Sequence, residues 1–299
     1  MTHFLFYSVE PLTLNSQFLI SSIMLVEKPR EYLRYAYEQH FAMPAFNVCN
    51  MEMAKAVLEA AAIERAPLIV QTYPGDLTHA ALGENTLGSL PGIIKCFAVQ
   101  TPVPVFLHLD HGPSFDFDLR CLREGYSSVM FDGHDLSLQD AVAETAAIAR
   151  MAHSFGSAVE GELGTFGGDQ GSQEFTNPED VPFMFGQGQV DMLAVSVGSE
   201  HGHSSRLKLD LLSAIAAKAN GPLVVHGGTG VHEDDVRAAI QMGVVKINIG
   251  AGLARAWCQG SREALDAGEG HYGTLKHAGL RVREEAQRRL KLMGASGRA

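Results

Sequence analysis

Short apolar segments rich in β-branched residues recur along the chain and alternate with longer segments whose apolar residues repeat at helical spacing. Most of the short segments lack strict alternation of apolar and polar residues, which is typical of strands covered on both faces. They predict eight strands, at residues 44–48, 68–72, 104–110, 128–132, 158–163, 192–197, 223–226 and 245–249. The segments between and after them predict helices at 27–40, 54–62, 114–124, 137–153, 208–219 and 232–241, and two more within 251–293.

Eight consecutive strands, each followed by a helix or a long loop, favour an α/β fold of the (β/α)8, or TIM, barrel type. An open dinucleotide-binding sheet is less favoured because no G-x-G-x-x-G follows the first strand. The glycine-rich segment 164–190 lacks helical periodicity and predicts the longest loop, which is a candidate lid. We therefore expect a single barrel domain at residues 24–299 that ends in additional helices.

Residues 1–23 are interpreted as a separate N-terminal extension. Glu10 and Pro11 interrupt its apolar stretches, and no basic residue precedes Lys28, so a secretory signal peptide is not indicated. A second methionine, Met24, stands just before the first predicted helix. Two hypotheses remain for the extension, a mis-assigned start and a loosely attached arm.

The charge balance and the cysteine pattern disfavour several classes of protein. The chain has 23 Lys+Arg against 34 Asp+Glu, a formal net charge of −11, and such a surface repels a nucleic-acid backbone. No run of 18 apolar residues occurs, so no membrane span is expected. The four cysteines contain no C-x-x-C pair and no disulfide framework, which indicates a reducing, cytoplasmic compartment. A small phosphorylated ligand remains compatible with this charge because local backbone N–H groups can bind an anion.

Polar residues stand within or just after most of the predicted strands. The C-terminal ends of barrel strands carry the catalytic groups in enzymes of this fold, so these residues are the candidates for a site. They are Asn47, Asp110, His111, Asp132, Glu160, Glu162, His201, His226, Lys246 and Asn248.

Three of these candidates are histidines, His111, His201 and His226. Three imidazoles with an open fourth position are a catalytic arrangement for zinc. Spacing alone leaves alternatives open, because the chain has 13 histidines and a chance triple is plausible. His203 also competes with His201 for the same role, whereas His108 lies within its strand and is expected to pack inside the barrel.

Asp110 directly precedes His111, and adjacent strand residues normally face opposite ways. The backbone can turn where a strand ends, so both side chains could reach one site. Asp110 would then act as a general base, or it would orient a metal ligand without binding the metal itself. The alternative role, as N-cap of the helix at 114–124, suits Ser114 or Asp116 better.

The turn after the seventh strand reads Gly227-Gly228-Thr229-Gly230 and offers N–H groups and one hydroxyl to a phosphate. An ordinary tight turn is the alternative interpretation. Asn47 and Asn248, at the first and eighth strands, are further candidates for contact with the substrate.

Taken together, these segments resemble the class II, zinc-dependent ketose-bisphosphate aldolases, and among them the tagatose-bisphosphate aldolases. The resemblance covers roughly residues 24–299, including the tail Gly297–Ala299. Seven motifs in the family's order carry it. They are Ala45-Phe46-Asn47-Val48, Leu107-His108-Leu109-Asp110-His111, Ser127-Ser128-Val129-Met130-Phe131-Asp132-Gly133, Glu160-Gly161-Glu162-Leu163-Gly164, Gly198-Ser199-Glu200-His201-Gly202, Val225-His226-Gly227-Gly228-Thr229-Gly230 and Val245-Lys246-Ile247-Asn248-Ile249.

The resemblance implies a function and a role for individual residues. The chain would cleave or form a phosphorylated ketose, such as tagatose or fructose 1,6-bisphosphate, through a zinc-stabilised enediolate of dihydroxyacetone phosphate. The three histidines would bind Zn²⁺ or another divalent metal, and Asp110 would be the acid/base at the C4 hydroxyl. The dihydroxyacetone-phosphate half would be held by Gly202, Gly227, Thr229 and Asn248.

The resemblance also implies a monovalent cation near the phosphate, a role in carbohydrate metabolism and a homodimer or homotetramer. A Schiff base is not needed in this mechanism. Lys246 is the candidate for one by position, but the matching residue of the family is non-catalytic.

Four departures from the family pattern concern the contacts with substrate. Gln170 stands where the family's flexible loop has a proton-exchanging glutamate, so Asp169 or Glu174 would have to replace it. The segment after Asn248 lacks the family's phosphate-binding threonine. Tyr73 replaces a small hydroxyl residue, and in the shorter loop after Gly202 the nearest cation is Arg206. Asp132, Glu162, Asp169 and Arg206 are therefore further site candidates.

These departures keep two alternatives open beside the bisphosphate aldolase. One is a metal-dependent lyase on the same scaffold that acts on a different, non-bisphosphate sugar or sugar-acid phosphate. The other is a non-catalytic barrel that serves as a partner subunit, although the retention of Asp110 and all three histidines argues against it.

Overall fold

The computed structural model describes residues 28–80, 87–165 and 173–299. Eight parallel strands close into a barrel in chain order, and β8 pairs with β1. The predicted (β/α)8 barrel is therefore confirmed. The strands are β1 (Met43–Asn47), β2 (Leu68–Thr72), β3 (Val105–Gly112), β4 (Ser128–Phe131), β5 (Ala158–Leu163), β6 (Met192–Val195), β7 (Leu223–Val225) and β8 (Val244–Ile249).

Eleven α-helices are found in the described part of the chain. All the helices that periodicity predicts are present, with boundaries that differ by a few residues. The helices are α1 (Pro29–Glu38), α2 (Met51–Glu64), α3 (Pro74–His79), α4 (Ser89–Ala98), α5 (Phe115–Arg123), α6 (Leu138–Ser154), α7 (Val181–Gly186), α8 (Leu209–Lys218), α9 (Glu233–Gln241), α10 (Ala251–Asp266) and α11 (His271–Leu292).

Three helices were not predicted. The helices α3 and α7 have only six residues each, which is too short for a helical period to show. The helix α4 contains Pro91 and Gly92, which read as loop residues in a sequence. The prediction of an unbroken loop at 164–190 is therefore wrong over 178–186, where a short 3-10 turn leads into α7. Residues 166–172 of this candidate lid, and the predicted extension 1–23, lie outside the described residues.

Side-chain caps fix the starts of the helices that flank the site. Asn50 accepts a hydrogen bond from Met53 N–H at α2, and Ser114 accepts one from Phe117 N–H at α5. Each cap satisfies a backbone donor that the first helical turn leaves without a partner. Because Ser114 caps α5, Asp110 is not used as a cap. None of the described helices is long and apolar enough to cross a membrane.

The barrel interior carries polar side chains in two levels toward the C-terminal ends of the strands. Residues i and i+2 of a strand face the same side, so one residue of each pair lies deeper and the next lies nearer the mouth. All the deeper residues are fully buried. The pairs are His108 and Asp110 on β3, Glu160 and Glu162 on β5, and Lys246 and Asn248 on β8.

Candidate active site

Asp110 lies near the C-terminal end of β3, where three side-chain amides hold it. Its Oδ2 accepts hydrogen bonds from Asn47 Nδ2 (2.9 Å) and Gln71 Nε2 (3.1 Å), and its Oδ1 accepts one from Asn248 Nδ2 (3.1 Å). The amides are themselves oriented, because Gln71 also donates to Asn47 Oδ1 (2.8 Å) and Lys246 Nζ donates to Asn248 Oδ1 (2.6 Å). Both asparagines therefore present their NH2 groups to the carboxylate.

The surroundings of Asp110 favour its ionised form. Burial alone would raise the pKa of Asp110, but the charges of His111 and Lys246 and the hydrogen bond from Asn47 outweigh burial and lower it. A carboxylate at this position can accept a proton from a substrate hydroxyl at neutral pH.

His111 turns toward the same side as Asp110 because the backbone is irregular there. The pairing of β3 with β4 shifts register between Leu109 and Gly112, and His111 has φ +54°. A left-handed conformation is uncommon for a residue with a Cβ, and such strain is concentrated at functional sites. The irregularity lets two consecutive residues serve one cavity.

A carboxylate fixes the ring of His111. Its Nδ1 donates a hydrogen bond to Asp132 Oδ2 (3.0 Å), while its Nε2 lies 3.9 Å from Asp110 Oδ1. Burial opposes the charge on the ring, but the charge of Asp110 and the hydrogen bond to the Asp132 carboxylate raise the pKa of His111 to about 9. A positive charge is therefore favoured at this point of the cavity, and a metal would bind through Nε2.

A fully buried ionic network lies beneath the site. Glu160 Oε1 accepts a hydrogen bond from His226 Nε2 (2.8 Å), and Glu160 Oε2 lies 2.9 Å from Lys246 Nζ and 3.3 Å from His108 Nε2. The predicted packing of His108 inside the barrel is confirmed by its zero exposure. Lys246 is enclosed with Glu160 and does not line the cavity, so it is not placed to form a Schiff base.

Glu160 also determines how His226 can act. Burial, the charge of Lys246 and the charge of His111 hold the pKa of His226 well below its usual value, so the ring is neutral. With Nε2 donating to Glu160, a metal would have to bind through Nδ1. A ligating imidazole whose other nitrogen donates to a carboxylate is the usual arrangement in metal sites.

The described residues contain a close group of metal-ligating atoms at this point. Ligand atoms of Asp110, His111 and His226 all lie within 4.8 Å of one another, and the two rings have centroids 5.0 Å apart. His201 lines the same cavity from the turn after β6 but is not part of this close group. His111 and His201 thus line the cavity, while His226 is fully buried with its ring against that of His111. Two imidazoles, each oriented by its own carboxylate, fit a divalent metal.

A second group of potential ligand atoms shares His111 and includes Asp132 and Glu162, again within 4.8 Å. Burial raises the pKa of Glu162 to about 8, and the charges of Asp132 and Glu160 add to the effect although His111 opposes it. Glu162 is therefore protonated at neutral pH and can donate a proton in this part of the site.

The cavity has a volume of about 300 Å³. It includes eight residues that the sequence proposes for the site. Tyr73, Gly250 and Ala251 complete its walls, and Tyr73 stacks edge-on against His111 with ring centroids 6.4 Å apart. The eight are Asn47, Asp110, His111, His201, Gly202, Gly227, Thr229 and Asn248.

The turn after β7 provides one wall of the cavity. Gly227 has φ +65°, which favours glycine, and Thr229 Oγ1 accepts a hydrogen bond from Gly252 N–H (3.1 Å) at the start of α10. Gly228 does not line the cavity, and its N–H donates to Asn248 O (3.0 Å). The prediction that Gly228 binds phosphate therefore needs correction, because its donor is used to join β7 to β8.

Arg206 and Glu174 do not line this cavity. The guanidinium of Arg206 instead forms a bidentate ion pair with Asp235 on α9 (2.6 and 2.8 Å). Asp169 lies outside the described residues. Glu174 lies beside Glu162 in the walls of a neighbouring cavity.

Two residues that support the site were given no role by sequence reasoning, which did not single out Gln71 and gave Glu160 only as a candidate. Gln71 is a fully buried amide in the otherwise apolar strand β2, and Glu160 is a fully buried carboxylate in β5. Each is a polar residue within a strand that is covered on both faces, and a buried polar group needs a hydrogen-bonding partner. This feature of the sequence could have identified both residues as part of a polar network. The sequence did not reveal that the partners would be Asp110 and His226.

Comparison with known families gives one match over nearly the whole described chain. The family model of "Fructose-bisphosphate aldolase class-II" matches residues 27–298. Among curated relatives, the fructose-bisphosphate aldolase of Streptococcus pyogenes serotype M1 is 32% identical over 265 residues, covering 85% of this chain and 89% of the relative. That of Thermus caldophilus is 32% identical over 305 residues, covering 90% and 98%.

Solved structures show the same architecture. The YdjI aldolase from Escherichia coli K12 superposes with a TM-score of 0.81 at 27% identity, covering 91% of this chain and 98% of that one. The fructose-bisphosphate aldolase of Campylobacter jejuni gives a TM-score of 0.79 at 24% identity, covering 90% and 95%, and at that identity it supports the fold alone.

Proposed function

The chain belongs to the class II fructose-bisphosphate aldolase family, an aldehyde-lyase family of carbon–carbon lyases, and we propose that it cleaves or forms a phosphorylated ketose with the help of Zn²⁺ or another divalent metal. The observation that carries the proposal is the ionised Asp110 beside the imidazoles of His111 and His226. In each ring, one nitrogen is hydrogen-bonded to a carboxylate and the other nitrogen is the one that would bind a metal. His111 and His226 would hold the metal, and His201, on a turn of the same cavity, would complete the set.

A bound divalent cation supplies positive charge where negative charge develops on substrate oxygen during bond cleavage. Asp110 accepts the proton of the C4 hydroxyl as the C3–C4 bond breaks, and it returns the proton in the direction of synthesis. Asn47, Gln71 and Asn248 hold the Asp110 carboxylate in place for this transfer. In cleavage, the electron pair of the broken bond is retained by the dihydroxyacetone-phosphate half.

A second acid must exchange the proton at C3 of that half. We assign this role to Asp169 or Glu174, the acidic residues that flank the position where the family has its loop glutamate. Glu174 shares a cavity wall with Glu162, whose raised pKa, about 8, makes it a proton donor at neutral pH.

The wall formed by Gly202, Gly227 and Thr229 is proposed to bind the phosphate, and Asn248 to contact the same half of the substrate. The positive end of a helix favours an anion, and Gly250 and Ala251 at the start of α10 line this wall. A monovalent cation beside the phosphate, a homodimer or homotetramer and a cytoplasmic location complete the proposal, and they rest on the family resemblance and the composition.

One observation favours a second candidate, in which the ketose carries a single phosphate. No Lys or Arg lines the cavity in the described residues, and residues 1–27, 81–86 and 166–172 contain none in their sequence. Two phosphates bound within one chain would then lack a cationic partner at the aldehyde end. The sugar is therefore either a bisphosphate such as tagatose or fructose 1,6-bisphosphate or a ketose monophosphate.

A coupled assay of triose-phosphate release from a panel of mono- and bisphosphorylated ketoses tests the proposal, with metal content measured on the same sample. We expect about one divalent ion per chain, loss of lyase activity with a chelator and recovery on addition of Zn²⁺. Full activity in metal-free protein would contradict the proposal. Turnover of monophosphates alone would select the second candidate.

A further inference from the structure

We propose that Arg255 is the cationic side chain that contacts the substrate phosphate, an inference that rests on the proposed function. Arg255 Nη1 donates a hydrogen bond of 3.3 Å to the carbonyl of Gly202, which is itself a wall of the cavity. The guanidinium is thus anchored at the wall where the phosphate is proposed to bind. Its side chain comes from α10, an element to which the sequence assigned no site residue.

The geometry of α10 explains how Arg255 reaches this wall. Residues four apart in a helix lie on the same face, so Arg255 is stacked one turn after Ala251. Ala251 lines the cavity, and its Cβ lies 4.0 Å from the point where a Cβ on Gly202 would stand. Gly202, Ala251 and Arg255 therefore form one continuous surface. Ala251 offers no hydroxyl to a phosphate, so the side-chain donor that α10 can add to this wall is Arg255, one turn further on.

The other cations near the site are already used. Arg206, the nearest cation in the loop after Gly202, is paired with Asp235. Lys246 is buried with Glu160. Arg289 lies behind the turn after β7, where it donates to the carbonyls of Gly228 (3.4 Å) and Thr229 (2.7 Å) and pairs with Glu285.

The contact of Arg255 with Gly202 is weak enough to be exchanged. Arg255 is exposed, and the described residues give it no ion pair. A single long hydrogen bond to a neutral carbonyl leaves most of its five N–H donors available. A hydrogen bond between a guanidinium and a phosphate is stronger than one to a carbonyl, so a phosphate in the cavity would attract the side chain.

The test measures the binding of dihydroxyacetone phosphate to the zinc-loaded protein by calorimetry. Arg255→Gln removes the charge, and Arg255→Lys keeps the charge without the planar fork. Arg262→Gln is the matched control, since Arg262 is exposed on the same helix seven residues further on. Zinc affinity of each variant, measured against a competing chelator, reports whether the site itself is intact.

We expect Arg255→Gln to weaken binding of dihydroxyacetone phosphate about tenfold to a hundredfold, the range for loss of a charged hydrogen bond. Arg255→Lys should fall between, Arg262→Gln should match the wild type, and zinc affinity should not change. In turnover the same variant should raise KM more than it lowers kcat. Equal affinities in Arg255→Gln and Arg262→Gln, or a parallel loss of zinc affinity, would overturn the inference. Wild-type protein that releases no triose phosphate would instead overturn the proposed function.

Discussion

The buried pair of Lys246 and Glu160 offers the sharpest test of the network beneath the site. Lys246→Met keeps the volume of the side chain and removes its charge. The two charged groups lie 2.9 Å apart and neither is exposed, so the substitution leaves Glu160 as a buried carboxylate without its cation. Removing one partner of a buried ion pair costs about 3–5 kcal/mol.

This cost is a large part of the stability of a typical domain, about 5–15 kcal/mol. At roughly 2–4 °C per kcal/mol, the midpoint of thermal unfolding should fall by about 6 to 20 °C. The measurement should use chelator-treated protein, because a bound metal would add its own stabilisation. Lys218→Met is the control. Its pair with Glu179 has the same 2.9 Å separation but is 43% and 71% exposed, so we expect a change of at most about 1 kcal/mol.

The double variant Lys246→Met/Glu160→Gln separates charge from packing. Removing both charges should recover part of the stability lost in Lys246→Met, because no buried carboxylate is then left without its cation. The zinc affinity of the double variant should be lower than that of the wild type, since Glu160 also orients His226. A Lys246→Met variant as stable as the Lys218→Met control would refute this account of the network. So would a double variant whose loss of stability equals the sum of the losses measured for Lys246→Met and for Glu160→Gln alone.

Three further predictions concern other parts of the molecule. Asp110→Asn should lower kcat about 100-fold to 10,000-fold while metal content stays at the wild-type level, and unchanged turnover would exclude Asp110 as the acid/base. Because the pKa of His111 is raised to about 9, a proton occupies that ring in the metal-free protein, so zinc affinity should rise with pH up to about 9, as titrations at several pH values would show. Burial raises the pKa of Asp118 to about 8, and neither of its oxygens has a hydrogen-bond partner in the described chain. The folded state therefore holds a proton that the unfolded state releases above about pH 4, so stability should fall between about pH 4 and 8, and this dependence should be reduced in Asp118→Asn.

The barrel and most of its helices could be predicted from the sequence because their signal is local. Each strand buries both faces, and each long helix repeats its apolar residues over several turns, so the pattern is complete within one element. The helices α3, α4 and α7 have short or proline-interrupted patterns, and their formation depends on the barrel against which they lie. The position of Asp110 and the three histidines at strand ends was likewise a local signal.

The pairing of the site residues could not be predicted, because it joins distant parts of the chain. His226 and Glu160 are 66 residues apart, and Asn248 and Asp110 are 138 apart. Only the closed barrel brings them into contact. The same limitation explains why Arg206 was predicted as a site residue. Its place in the chain favoured that role, but the fold pairs it with Asp235 on α9.

The side chains are held more firmly at the metal end of the cavity than at the phosphate end, and this difference bears on the choice of substrate. At the metal end, three of the proposed groups have partners that fix them: Asp132 for His111, Glu160 for His226 and three amides for Asp110. At the phosphate end, Gly202, Gly227, Thr229 and the start of α10 form the wall, and the exposed Arg255 is hydrogen-bonded to the carbonyl of Gly202. A site that is rigid at the reacting bond and adaptable elsewhere keeps the reaction while its choice of sugar changes. The reaction class is therefore better determined by this structure than the sugar, and affinity for dihydroxyacetone phosphate should vary less among relatives of this chain than the preference for the aldehyde.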